Sequence, residues 1–329
     1  MAAASASGEP SLQAQRWIVE RLAERGLALE GPIESIHQRA WSSVWRLPVR
    51  AGQVFFKAVG PTLAYEAGLT RWLSHRFPER VTQVLAVEPE RGWLLSADGG
   101  PRLRDVALTA EDLRPWELLY SSYYQIQQAT ASCIDELLAL KVPDRRLARL
   151  PALIEELLDD PVALGNSHLQ ALTAAERSDF DSLRNLLQER CRQLTEAADI
   201  PAALDHGDLH DANVFYRSGR FRIFDWGDAS LGHPFMTLRT LSVSLDSRLG
   251  LDENSREVAE TQRSYMRQWL PDLDDDDLEP IRKLAIQLGP LPAALRWSAA
   301  LADCSAEQRA PWAHAIPSLL REFMVLVRQ

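Results

Sequence analysis

The stretch Leu204-Asp205-His206-Gly207-Asp208-Leu209-His210-Asp211-Ala212-Asn213-Val214-Phe215-Tyr216 runs on through Arg217-Ser218-Gly219-Arg220 into Phe221-Arg222-Ile223-Phe224-Asp225-Trp226-Gly227-Asp228, and its reading decides the fold. Two short alternating runs flank a Ser-Gly pair, which predicts a β-hairpin with a tight turn. Asn213 starts one arm and Asp225 ends the other, so antiparallel pairing brings the two close together. Asp208, five residues before Asn213 in a polar loop, reaches the same place. Two carboxylates and an amide at one mouth suit a divalent cation and a phosphoryl group. Mg2+ takes hard oxygen ligands and completes its shell with water and phosphate oxygens, so Asn213 and Asp225 suffice as protein ligands. Asp208, left off the metal, is then free to orient a hydroxyl nucleophile and accept its proton. An isolated Asp-x-x-x-x-Asn would carry little, because turns use both residues routinely. Here the loop, the spacing, the hairpin and the terminal Asp225 agree in order and setting.

Working outward, Ser11 to Leu27 has the apolar spacing of an amphipathic helix. Ile33 to His37, Ser43 to Val49 and Val54 to Val59 read as a β-meander, and Pro61 leads into a helix through Glu66 and Leu73. Val81 to Val87 and Trp93 to Ser96 add two more strands. Asp98-Gly99-Gly100-Pro101 is the strongest breaker and the expected linker. Beyond it, Glu111 to Ala129, Pro151 to Leu158, Ala174 to Ala198, Glu257 to Leu270, Leu278 to Leu288 and Ala293 to Ala302 read as helices. The expected organisation is a flexible tail over 1–10, a β-rich lobe over 11–98 and a helical lobe over 99–329 that carries the loop and hairpin.

His206-Gly207-Asp208-x-x-x-x-Asn213 followed by Phe224-Asp225-Trp226 resembles the catalytic loop and metal aspartate of the aminoglycoside phosphotransferase and choline kinase group. Protein kinases carry H-R-D-x-x-x-x-N and then D-F-G. Gly207 in place of Arg, and Trp226 in place of Phe, favour the small-molecule branch. The resemblance implies an α+β, protein-kinase-like two-lobed fold, ATP and Mg2+ as cofactors, and a small-molecule hydroxyl as acceptor. It also implies that Lys57, in Val54-Phe55-Phe56-Lys57-Ala58-Val59, holds the α- and β-phosphates as the V-A-I-K lysine does, and that Glu66 pairs with it. Taken alone, Lys57 is equally a charge guarding a strand edge. In Arg39-Ala40-Trp41-Ser42-Ser43-Val44, where the group keeps its phosphate-covering loop, backbone N–H groups and the hydroxyls of Ser42 and Ser43 would meet phosphate. Trp93 to Gly100, including Ser96 and Ala97, resembles the hinge whose backbone binds adenine. Where the group continues G-D-P-x-x-D-L, this chain has Gly232-His233-Pro234-Phe235-Met236-Thr237-Leu238, so His233 and Thr237 replace two acidic positions, the second of which usually buttresses the catalytic loop.

Composition narrows the alternatives. The formal charge of -10 lacks the basic footprint of a nucleic-acid binder and favours a cationic or neutral substrate. The three cysteines form no C-x-x-C pair and read as reduced thiols of a cytoplasmic protein. No uninterrupted apolar run is long enough for a membrane span. His206 is expected to support the loop, while His210, Asp211 and Asp228 sit beside the site and face substrate or solvent. Asp272 to Asp277 could attract a cation, but acidic residues ahead of a helix near Leu278 are better explained by capping. Trp269, Trp297 and Trp312 are better core residues than pocket walls. Two other functions stay open: a catalytically silent nucleotide- or small-molecule-binding module of the same fold, which the altered 232–238 stretch allows, and a protein kinase, which the missing A-P-E segment disfavours.

Overall fold

A computed structural model describes residues 9–50, 52–106, 109–165 and 171–328. Residues 1–8 of the expected tail lie outside them. Pro10 is buried, and its carbonyl accepts a hydrogen bond from Gln15 Nε2 at 2.8 Å. In chain order the elements are α1 (Leu12–Ala23), β1 (Glu34–Gln38), β2 (Ser42–Val49), β3 (Gly52–Val59), α2 (Tyr65–Arg76), β4 (Val84–Glu88), β5 (Trp93–Ala97), α3 (Arg114–Thr130), α4 (Ile134–Ala139), α5 (Leu150–Leu158), α6 (Ala174–Ser182) and α7 (Arg184–Ala197). There follow β6 (Ala203–Asp205), β7 (Val214–Arg217), β8 (Arg220–Ile223), β9 (Ser230–Gly232), α8 (Thr237–Leu249), α9 (Arg256–Trp269), α10 (Asp275–Leu288), α11 (Pro290–Leu301), α12 (Ala306–Arg309) and α13 (Ala315–Leu326). They form two compact units, the first made of 1–102, 214–227 and 299–308 and the second of 103–213, 228–298 and 309–329.

Among the described residues, the first unit holds a five-stranded antiparallel sheet in the order β1-β2-β3-β5-β4. Period-two alternation along β3 turns Val54, Phe56 and Ala58 into the core and sets Phe55, Lys57 and Val59 on the opposite face. The core face packs under α1, where Trp17, Ile18 and Leu22 meet Trp45, Leu47, Phe56, Trp93 and Leu95. Ser11 caps α1 by accepting from the Ala14 N–H at 3.2 Å. Trp45 stacks on Phe56 with ring centroids 5.4 Å apart.

The β7–β8 hairpin has Val214 opposite Ile223 and turns through Ser218 and Gly219, both at positive φ, as a two-residue hairpin turn requires. Sequence order placed this hairpin in the 99–329 segment, yet its contacts group it with the first unit. The reason is backbone bonding: the Ile223 N–H donates to the Arg80 carbonyl at 2.7 Å, and the Tyr216 N–H donates to the Pro101 carbonyl at 2.8 Å.

The second unit is helical around α3, whose buried Trp116, Leu119, Tyr120, Tyr123 and Ile126 recur at helical spacing. The short β6–β9 pair, with Asp205 opposite Ser230, sits among the helices. The expected single helix over Ala174 to Ala198 is two, which meet at Leu183 (φ -92, ψ -2), the C-cap of α6 and the N-cap of α7. Thr173 and Glu176 form a reciprocal cap at the start of α6. The elements α4, α8, α12, α13 and β9 were not foreseen from sequence. Cys133, Cys191 and Cys304 are all free and buried. No helix of the described residues is long and apolar enough to cross a membrane.

Replacing Phe56, fully buried and stacked on Trp45, by Ala should cost about 3–5 kcal/mol of stability. Urea unfolding followed by tryptophan fluorescence measures this.

Candidate active site

The expected site residues fall into two groups, one in each unit. In the first unit β3 carries Lys57 on its non-core face, between Val44 on β2 and Leu94 on β5. Its ammonium donates to Glu66 Oε1 at 2.7 Å and to the Asp225 carboxylate. Glu66 lies in the first turn of α2, where the helix dipole favours a carboxylate, and is 2 % exposed. Burial alone would push Lys57 down, but the charges and hydrogen bonds of Asp225 and Glu66 carry it well above the ordinary lysine value.

Asp225 follows β8 with φ +65, a conformation that non-glycine residues seldom adopt and that clusters at functional sites. The next turn is drawn tight against the same group. A Cβ on Gly227 would lie 3.0 Å from Glu66 Oε2, and the Gly227 carbonyl accepts from the Tyr65 hydroxyl at 2.6 Å. A side chain at 227 would therefore press on the Glu66 carboxylate.

In the second unit the loop 206–213 holds Asp208 and Asn213 together. Asn213 Nδ2 donates to the Asp208 carbonyl at 2.9 Å and to Asp208 Oδ2 at 3.2 Å, which leaves Asn213 Oδ1 as the free end of the amide. His210 places Nε2 3.2 Å from Asp208 Oδ2 while its Nδ1 accepts the Ala212 N–H at 3.0 Å. Burial would lower His210, but the hydrogen bond and charge of Asp208 raise it above the ordinary imidazole value. His206 is fully buried; its N–H donates to the Tyr123 hydroxyl at 2.7 Å and its Nδ1 accepts the Asp208 N–H at 3.3 Å. Gly207 has φ +80, and a Cβ there would lie 2.4 Å from the Asp228 carbonyl oxygen and 2.7 Å from Arg296 Cδ. This is the physical reason that an arginine cannot stand at 207.

The loop is anchored from outside by residues that sequence reasoning missed, and Asp211, expected to face substrate or solvent, is instead buried as their meeting point. Asp211, 3 % exposed, receives Arg104 Nη2 at 3.0 Å and Arg248 Nε at 3.2 Å. Arg248 also donates to the Arg104 carbonyl at 2.7 Å. Tyr123 donates to Asp205 Oδ1 at 3.1 Å, and Tyr120 reaches the Leu209 carbonyl at 3.4 Å. Their sequence signal is confined to the helical spacing of buried tyrosines in α3.

The altered 232–238 stretch has its own roles. His233 Nδ1 caps the following turn by accepting the Phe235 N–H at 3.2 Å, and burial lowers its pKa to about 4. Thr237, 1 % exposed, hydrogen-bonds Tyr120, the same tyrosine that reaches the loop at Leu209.

Two expected contacts sit differently. Ser42 and Ser43 lie within β2 rather than in the preceding turn, and Ser42 Oγ is 3.3 Å from His37 Nε2. Ser96 pairs with Phe55 on one side and Val84 on the other. The Ala97 N–H donates to the Gln83 carbonyl at 2.9 Å, and its carbonyl accepts from Thr82 Oγ1 at 3.4 Å. Within the expected hinge the sheet thus already uses the Ala97 backbone groups.

The fold is that of small-molecule phosphotransferases with a protein-kinase-like α+β architecture. A choline kinase from Cryptosporidium parvum Iowa II superposes with a TM-score of 0.62 at 12% identity, covering 96% of this chain and 97% of its own. The macrolide 2′-phosphotransferase MphH from Brachybacterium faecium gives a TM-score of 0.58 at 18% identity, covering 91% of this chain and 97% of its own. A variant of an aminoglycoside 2′-phosphotransferase, solved as its GDP complex, gives 0.57 at 15% identity, with 96% of each chain covered. The aminoglycoside phosphotransferase and choline kinase group is the one that the residues of the loop resemble. No family model matches the sequence. No curated protein matches it either.

Gly207→Ala should destabilise the protein by more than about 1 kcal/mol in urea unfolding, since an L-residue at positive φ costs about that much before the contact with Asp228 is counted. His233 supplies a pH test. Its folded pKa lies below the unfolded value of 6.5, so the unfolded chain binds the extra proton between 6.5 and about 4. Stability should fall as pH drops through that window, by up to about 1.4 kcal/mol per pH unit from this residue. His233→Gln should flatten the slope in denaturation measured between those limits.

Proposed function

We propose that the protein is an ATP-dependent phosphotransferase that moves the γ-phosphate to a hydroxyl of a small molecule. The observation that carries this reading is the buried Lys57 held by Glu66 and by Asp225, a residue 168 positions away in left-handed backbone geometry. Structural ion pairs seldom need a strained aspartate, whereas the kinase-like reading requires this trio. The fold it shares with phosphotransferases, one of them solved with GDP, supports nucleotide binding.

Lys57 would hold the α- and β-phosphates, fixed in direction by Glu66. The donor set suits Mg2+: Asp225 offers a carboxylate that is 38% exposed, and Asn213 turns its nitrogen to Asp208 and so keeps an oxygen available. Among the described residues no group of three or more His, Cys, Asp or Glu side chains could hold a metal, so phosphate and water oxygens would complete the shell. Bound there, Mg2+ would neutralise charge on the triphosphate.

Asp208, 44% exposed and steadied by Asn213 and His210, would orient the acceptor hydroxyl and take its proton. The hydroxyl oxygen forms the new bond to the γ-phosphorus. The bond from that phosphorus to the β,γ-bridging oxygen breaks, and its electron pair leaves with ADP. Most of the rate would come from positioning and charge neutralisation.

Asp208→Ala should lower acceptor-dependent ADP release by about 100-fold or more while the Mg-ATP thermal shift is kept. Asp225→Ala should instead abolish the Mg-dependent part of that shift. Undiminished turnover in the Asp208 variant would rule out the role given to it, and binding without turnover on any hydroxyl acceptor would leave the silent module as the better description.

A further inference from the structure

Arg296 is a partly buried residue of α11, packed so closely on the loop that its Cδ lies 2.7 Å from where a Gly207 Cβ would stand. Gly207 immediately precedes Asp208. Among the described residues no hydrogen bond or ion pair engages the Arg296 guanidinium, whose charge favours the ionised form of the buried Asp205 against the upward push of burial. Other arginines of the second unit are treated differently. Arg239 is bonded through two nitrogens to Glu322, at 2.6 Å each, and Arg282 is bonded to Glu279 and Gln262. Arg104 and Arg248 share Asp211.

A guanidinium carries five donors in a fixed fork, and those of Arg296, only partly buried beside the loop, are left without a protein acceptor. The carboxylates near it are committed or disfavoured. Asp211 serves two arginines, Asp208 serves Asn213 and His210, and burial pushes the Asp205 carboxyl upward while Tyr123 and the Gly207 N–H hold it. An anionic acceptor would find one free planar cation, of the geometry that grips a carboxylate or phosphate with two parallel hydrogen bonds. That cation would also offset the repulsion such an acceptor meets from Asp208 and the triphosphate.

We propose that Arg296 is a specificity-determining residue that binds an anionic group, a carboxylate or phosphate, on the hydroxyl acceptor. This rests on the phosphotransferase reading and names its substrate class, reversing the preference for a cationic or neutral substrate that the overall charge suggests.

The test uses the full chain with Mg-ATP and three acceptors of one size: glycerate, glycerol and 2-amino-1,3-propanediol. ADP release should favour glycerate over the aminodiol by about tenfold or more in kcat/KM. Arg296→Glu should reverse that order, and Arg296→Lys should keep it. Thermal shifts of the same proteins with the non-hydrolysable analogue AMP-PNP, Mg2+ and each compound should follow the same order. Preference of the unmodified protein for the aminodiol, an equal loss on all three compounds in Arg296→Glu, or a loss confined to AMP-PNP affinity would overturn the proposal. Absence of any Mg-ATP shift in the unmodified protein would instead defeat the phosphotransferase reading, and the glycerate shift, compared between it and Arg296→Glu, would still decide Arg296.

Discussion

Lys57 brings a positive charge into the interior of the first unit, and much of that unit's arrangement answers to it. A cation with a side chain only 15% exposed must find counter-charges, and it finds them on α2 and at the end of β8. The sheet supplies the direction, because alternation along β3 that sends Phe56 into the core necessarily sends Lys57 to the other face. Glu66 is set by the first turn of its helix, and Asp225 by a hairpin whose edge is sewn to Arg80 and Pro101. Removing one partner from such a buried group typically costs about 3–5 kcal/mol, so the trio is as much a folding constraint as a chemical one. The bare turn at Gly227 follows from the same crowding.

The second unit solves a different problem, which is to hold a loop in a fixed shape without a regular element. Backbone N–H groups of 208 and 212 are capped by imidazole nitrogens of His206 and His210, and the Asn213 amide closes the loop onto Asp208. Outside this ring stand Tyr120, Tyr123 and the two arginines on Asp211. With Thr237 rather than an acidic residue below it, the loop has support through Tyr120 and an ionic anchor at Asp211.

The parts of this architecture that could be read from sequence share one property: their signals are local. The hairpin follows from alternation around Ser218-Gly219, the sheet strands from short apolar runs, and the loop from a spacing contained within six residues, Asp208 to Asn213. What escaped reading depends on partners far along the chain. The strand β9 exists because Ser230 to Gly232 pairs with Ala203 to Asp205, and α8 begins at a buried Thr237 that no local pattern marks. The hairpin's grouping with the first unit rests on bonds to residues 80 and 101, and the arginines on Asp211 lie 107 and 37 positions from it. Ser42 and Ala97 extend β2 and β5 by one residue beyond the strands read from sequence, because neighbouring segments pair with them.

The loop 206–213 takes its shape from α3, α8 and its own backbone, and α11 meets it through Arg296 beside Gly207. On the reading proposed above, chemistry and acceptor choice would be carried by separate parts of the chain. A laboratory seeking new acceptors could randomise positions on α11 while keeping residues 205–213 constant, and variation would fall on recognition before it reached the reaction itself.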